Sequence, residues 1–150
     1  MITRTIVKTL IFDENDNLLL LRRSKDDEHR PGELDLPGGG VDEGEDITTA
    51  AVREITEEAG VTLQPSQLKL VYSYSSTGYN TSEKQDANLV RLFFVTHLTA
   101  RPSIKLSSEH SEYMWLSPAE CDTRIDYHRY RELFEYLKTN DILTDPFAAR

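Results

Sequence analysis

Residues 39–61 read GGVDEGEDITTAAVREITEEAGV, and the fold turns on how this stretch is parsed. Asp46 precedes a run of helix formers and can cap it by accepting from the free amides of the first turn. Gly60 falls where a left-handed residue ends a helix. Between them Ile47, Ala51, Ile55 and Ala59 recur at four-residue spacing and make one apolar stripe. The pattern predicts a helix over residues 47–59. Glu54, Glu57 and Glu58 stand at i, i+3 and i+4, within about a third of the helix circumference. Like charges so placed repel by a few tenths of a kcal/mol per pair. The ordinary reading of such a run is a solvated acidic face, with Arg53 as a surface partner. The alternative is a divalent cation held by hard carboxylate oxygens, which suit Mg²⁺ or Mn²⁺. Glu58 projects within about 20° of both Ile47 and Ala51, at the edge of the apolar stripe. A carboxylate turned that way is costly without a cation.

Outward from the helix, residues 2–12 are rich in Ile, Val, Thr and Leu and read as a strand. Residues 13–17 are a polar turn and residues 18–21 a second strand, so the pair reads as a hairpin. Residues 22–32 are charged, end in Pro31-Gly32 and read as a loop. Further strands are expected at 68–74, 88–98 and 113–116. Residues 75–87 are polar, without periodicity, and read as a long loop. Ser117-Pro118 opens a short helix. Residues 127–139 form an amphipathic helix with Tyr127, Tyr130, Phe134 and Leu137 on one face, and the tail 141–150 is expected to be loosely attached. There is no internal repeat, and residues 1–150 read as a single domain. Helices on both sides of a mixed sheet would bury every apolar face, an α/β architecture.

From Gly39 the spacing is Gly39-x5-Glu45-x7-Arg53-Glu54-Ile55-x-Glu57-Glu58-x-Gly60-Val61. This resembles the signature of the Nudix hydrolases at its seven fixed positions and both aliphatic ones. At roughly 5–7% usage per residue type, chance gives such a match less than about once in a million start sites. Leu36-Pro37-Gly38-Gly39 looks like the family's lead-in to the box. The resemblance implies the family's α/β/α sandwich, with a mixed β-sheet between helices. It implies that Glu54, Glu57, Glu58 and the Gly38 carbonyl hold metal, that Arg53 orients a box glutamate and that Glu45 is tied to the helix start. A further glutamate from outside the box often joins the metal site. Glu109, six residues before Trp115, is the choice here, with Glu112 second and His110 between them. Glu54 or Glu109 would serve as general base. Arg23 matches in position a phosphate-contacting arginine of mutator-type nucleoside triphosphate hydrolases. Tyr79 lies near a tyrosine used by dinucleoside polyphosphate hydrolases.

The implied activity is hydrolysis of a phosphoanhydride bond of a nucleoside diphosphate linked to another group, first of all a nucleoside triphosphate. Dinucleoside polyphosphates and nucleoside diphosphate sugars are alternatives within the class. A non-catalytic nucleotide-sensing domain is a competing reading, set against by the complete set of box glutamates. An isomerase on the same fold would need a catalytic cysteine. Cys121 is the single cysteine, reads as a small buried apolar residue, and allows no intrachain disulfide.

The net charge of −9 repels phosphate backbones and argues against nucleic acid as a partner. It does not argue against a small nucleotide held by a cation and a few arginines. No apolar run is long enough for a bilayer and no signal-like segment opens the chain, so no membrane partner and a cytoplasmic location are expected. A homodimer is compatible with the resemblance.

Overall fold

The computed structural model describes residues 1–125 and 128–140. Its centre is a seven-stranded mixed sheet in the order β3-β2-β1-β6-β5, with β4 paired to β1 and β7 to β2. The strands are β1 (Ile2–Phe12), β2 (Leu18–Arg23), β3 (Leu34–Asp35), β4 (Gly38–Gly40), β5 (Lys69–Asn80), β6 (Gln85–His97) and β7 (His110–Leu116). The helices are α1 (Ile47–Ala59), α2 (Pro118–Arg124) and α3 (His128–Thr139). No described helix is long and apolar enough to cross a membrane.

The alternation of β1 sorts the two layers. Leu10 and Phe12 point to one face and join Leu18, Leu20, Phe93 and Val95 in a core closed by Tyr130, Leu133, Phe134 and Leu137 of α3. Val7 and Ile11 point to the other face, under Ala50, Ala51, Ile55 and Ala59 of α1. A buried Ile55→Ala truncation would cost about 2–5 kcal/mol. The architecture is therefore the expected helix–sheet–helix sandwich. Cys121 is buried in the first of these cores, and burial pushes its thiol up to about 12, so no reactive thiolate is available there.

Helix α1 keeps its expected bounds. The Asp46 carboxylate accepts from the Thr48 and Thr49 amides at 3.0 and 3.1 Å, and Gly60 closes the helix at φ 70°. On α3, Tyr130, Phe134 and Leu137 face the core as expected; Tyr127 and the tail 141–150 lie outside the described residues.

Other expectations need correction. The loop expected at 75–87 is largely strand. Strands β5 and β6 run as a hairpin to the pairs Tyr79↔Asp86 and Asn80↔Gln85. Much of this arm projects beyond the core, so its Ser, Thr, Tyr and Asn residues carry no apolar alternation. The hairpin expected from β1 and β2 reduces to one pair, Phe12↔Leu18, after which β2 runs beside β7. Strand β2 extends to Arg23 and β7 begins at His110, not at residue 113, because each completes the other's backbone pairing. The short strands β3 and β4 interrupt what reads as loop. Strand β4 is Gly38-Gly39-Gly40, without a side chain to give it a pattern, and its pairing with Ile6, Val7 and Lys8 creates it.

Candidate active site

The pairing of β4 with β1 places the glycine strand directly beneath the glutamates of α1. At Gly38 φ is 151°, and a Cβ there would lie 2.0 Å from the Val7 carbonyl oxygen, so only glycine lets the two strands meet. At Gly39 a Cβ would stand 2.7–2.9 Å from the Glu54 carboxylate atoms. The missing side chain is the space in which that carboxylate rests.

Arg53 organises the acidic group. It grips Glu45 bidentately at 2.8 and 3.0 Å, and donates to Glu54 at 3.0 Å, Glu57 at 3.3 Å and the Gly40 carbonyl at 3.0 Å. The Arg53 hydrogen bonds, with the Asp42 amide, pull Glu45 down to about 2. Glu45 thus ties the loop before α1 to the middle of the helix.

The three box glutamates differ in exposure. Glu57 is open to solvent, Glu54 is mostly covered, and Glu58 is buried at 4% exposure. Burial raises Glu54 against the pull of Arg53. Burial pushes Glu58 up to about 8, opposed by Lys8 and by the Gly38 amide, which donates to its Oε2 at 3.1 Å. Glu58 therefore sits where the angular reading of the helix puts it, turned inward.

A cleft of two adjoining compartments opens here. The near one is lined by Gly38, Glu54, Glu57, Glu58, Glu109 and His110, the far one by Ile6, Tyr79, Leu89, Arg91 and Tyr130. Lys8, Arg23, Gly39, Gly40 and Thr81 border both. The structure thus brings Glu109 to the box glutamates, although it is exposed and its backbone amide bonds only Ser107 Oγ. Glu112 is turned to Arg22, 3.5 Å away, and does not line the cleft. His110 is buried with Nδ1 unbonded, and burial lowers its pKa. Arg23 lines both compartments, but its two terminal nitrogens are engaged by Asp35 at 2.6 Å and Asp27 at 2.5 Å. Tyr79 sits on the end of β5, more than half exposed, at the rim of the far compartment.

Not anticipated from sequence is the ion cluster between the compartments. Asp35 is fully buried and meets Lys8 at 3.1 Å, Arg23 at 2.6 Å, Arg30 at 3.2 Å and the Tyr130 hydroxyl. Burial works to raise its carboxyl, and Lys8, Arg30, Tyr130 and Arg23 outweigh it, holding it well below the usual carboxylate range. A signal was present. Lys8 is the one charged residue on the inward side of β1 between Ile6 and Leu10, and Asp35 stands between Leu34 and Leu36.

Among the described residues, no three carboxylate, imidazole or thiol side chains already stand in a geometry that would hold a metal ion. The Gly38 carbonyl faces Lys8 Nζ at 3.5 Å. The donor chemistry nonetheless fits a hard divalent cation. Glu54, Glu57, Glu58 and the Gly38 carbonyl offer only oxygen, and Glu58 is a deeply buried carboxylate that accepts the Gly38 amide.

A model of the NUDIX domain matches residues 3–137. Nucleoside triphosphatase NudI of Escherichia coli O139:H28 (strain E24377A / ETEC) is 34% identical over 122 residues, covering 78% of this chain and 84% of the relative. Among solved structures, a MutT protein from Methanosarcina mazei Go1 superposes with a TM-score of 0.75 at 26% identity, covering 93% of this chain and 96% of that one. A C. elegans Ap4A hydrolase has the same fold, with a TM-score of 0.67 at 21% identity over 91% of this chain and 96% of its own.

Proposed function

The chain belongs to the NUDIX family of hydrolases acting on phosphoanhydride bonds, and from that premise we propose that it cleaves a nucleoside triphosphate to a nucleoside monophosphate and pyrophosphate, with Mg²⁺ as cofactor. The observation that carries this reading is the inward-turned Glu58, buried beside Glu54 and the Gly38 carbonyl at the near end of the cleft. The similarity to a nucleoside triphosphatase at 34% identity supports the choice of substrate.

Family members generally need a divalent metal. Glu54, Glu57, Glu58, Glu109 and the Gly38 carbonyl would hold it here. Bound among these oxygens, the cation supplies neutralisation of the phosphate charges and acidifies the attacking water. The protein's own groups do the rest. Arg53 keeps Glu54 and Glu57 on one side of the cleft. Glu54 or Glu109 accepts the water's proton as the water oxygen bonds to phosphorus and the anhydride bond breaks toward the leaving phosphate. Arg23 and Lys8 line both compartments and would favour the negative charge of a phosphate chain entering there.

The test is a panel of nucleoside triphosphates, nucleoside diphosphate sugars and dinucleoside polyphosphates, assayed in Mg²⁺ for release of phosphate or pyrophosphate. Faster turnover of triphosphates than of the other classes supports the reading. Release from none of them overturns it.

A further inference from the structure

The far compartment, of about 390 Å³, carries a cation that the hydrolytic centre does not use. Arg91 lies on β6, in register with Ile6 of β1 and Tyr74 of β5. Its guanidinium donates to Ser76 Oγ at 3.0 Å and lies over the Tyr74 ring, 5.4 Å from the centroid. Both contacts fix its position, and neither neutralises it. The other cations bordering this compartment have carboxylate partners: Lys8, Arg23 and Arg30 all meet Asp35, and Arg23 also meets Asp27. Among the described residues, no carboxylate stands within ion-pair distance of Arg91. A half-buried, immobilised guanidinium with no counter-charge among the described residues, in a chain of net charge −9, is prepared for an anion brought by a ligand.

Position separates this group from the cleavage centre. Gly40 pairs with Ile6, and Ile6 with Arg91, so two strand spacings, about 10 Å, lie between the glycine strand and Arg91. A phosphate held against Glu54 cannot also meet Arg91. We propose that Arg91 forms a distal phosphate subsite, which adds binding affinity for nucleotides whose anionic chain continues past the anhydride held at the glutamates. This rests on the reading that the cleft takes a nucleotide, and it deepens that reading by naming a residue that selects among nucleotides. Arg91 thereby acts on affinity and not on the bond-breaking step.

The test is calorimetric titration of the intact protein in Mg²⁺ with methylene-bridged, non-hydrolysable analogues of ATP and of diadenosine tetraphosphate. No turnover is needed. Arg91→Ala is expected to weaken the tetraphosphate analogue tenfold or more, and to lower its affinity relative to the ATP analogue at least fivefold. Arg91→Lys, which keeps the charge, should recover most of that ratio. Arg91→Gln, which removes the charge but keeps a polar, hydrogen-bonding side chain, should not, and it serves should the alanine variant fold poorly. An unchanged ratio in the alanine and glutamine variants overturns the subsite while leaving the nucleotide reading intact. Wild-type protein that binds neither analogue overturns both.

Discussion

The Glu58 carboxylate accepts the Gly38 amide at 3.1 Å while buried at 4% exposure, so the glycine strand and helix α1 are joined through an acid that would rather be in water. Glu58→Gln keeps the shape and an acceptor for Gly38 but removes the ionisable group. In chelator near neutral pH, the variant is expected to be more stable than wild type by roughly 1–3 kcal/mol. At this chain length that is about 2–4 °C in Tm per kcal/mol, read by thermal unfolding. A lower Tm would mean that the carboxylate supports the metal-free fold.

The two box glycines are expected to fail in different ways. Gly39→Ala meets the movable end of Glu54, so the fold is retained and the carboxylate is displaced. We expect kcat to fall by roughly tenfold or more with an unchanged circular dichroism spectrum. Gly38→Ala meets the Val7 carbonyl oxygen at 2.0 Å and must part β4 from β1. It is expected to lose about 2 kcal/mol or more of stability. Equal Tm values for the two variants would refute the distinction.

Arg53 is a positioning residue, with contacts to Glu45, Glu54, Glu57 and Gly40. Lysine keeps the charge but not the planar fork. Arg53→Lys should lower kcat by about 10–100-fold while KM stays within about threefold, the loss typical of groups that orient metal ligands. A KM effect without a kcat effect would place Arg53 on the substrate instead.

Asp35 gives the pH dependence. Its folded pKa is depressed, so its contribution to stability is present above the unfolded value, about 3.9, and is lost as pH falls from there toward the folded value. Wild type should therefore lose Tm steeply below about pH 4. Asp35→Asn leaves Lys8, Arg23 and Arg30 without their shared carboxylate. It should be destabilised at pH 7 by about 3–5 kcal/mol and show a shallower acid limb. Parallel acid limbs would show that Asp35 does not set this dependence.

Local signals made α1 legible: an Asp46 cap, a Gly60 stop and an apolar stripe with Glu58 at its edge all act within one helix. The spacing from Gly39 to Val61 made its chemistry legible as well. What escaped is non-local. Strand β4 exists because β1 pairs with it, and three consecutive glycines carry no periodicity. The arm of β5 and β6 is polar because much of it stands clear of the core, so its residues resemble a loop in composition while pairing as strands. The partnership of Lys8 with Asp35 spans 27 residues and joins two strands that are not neighbours in the chain. Arg91 acquires its meaning only when β1 and β5 flank it.

The central claim is that the α1 glutamates form a metal-dependent hydrolytic centre. It is tested most directly by nucleotide turnover in wild type and Glu58→Gln, with Mg²⁺, with chelator and after Mg²⁺ is restored. We expect wild-type turnover to stop in chelator and return with Mg²⁺. Glu58→Gln should stay more than about a hundredfold slower throughout, since removing a ligand costs more than disturbing an outer-shell partner. Turnover that persists in chelator, or a folded Glu58→Gln that hydrolyses nucleotide at the wild-type rate, would contradict the account.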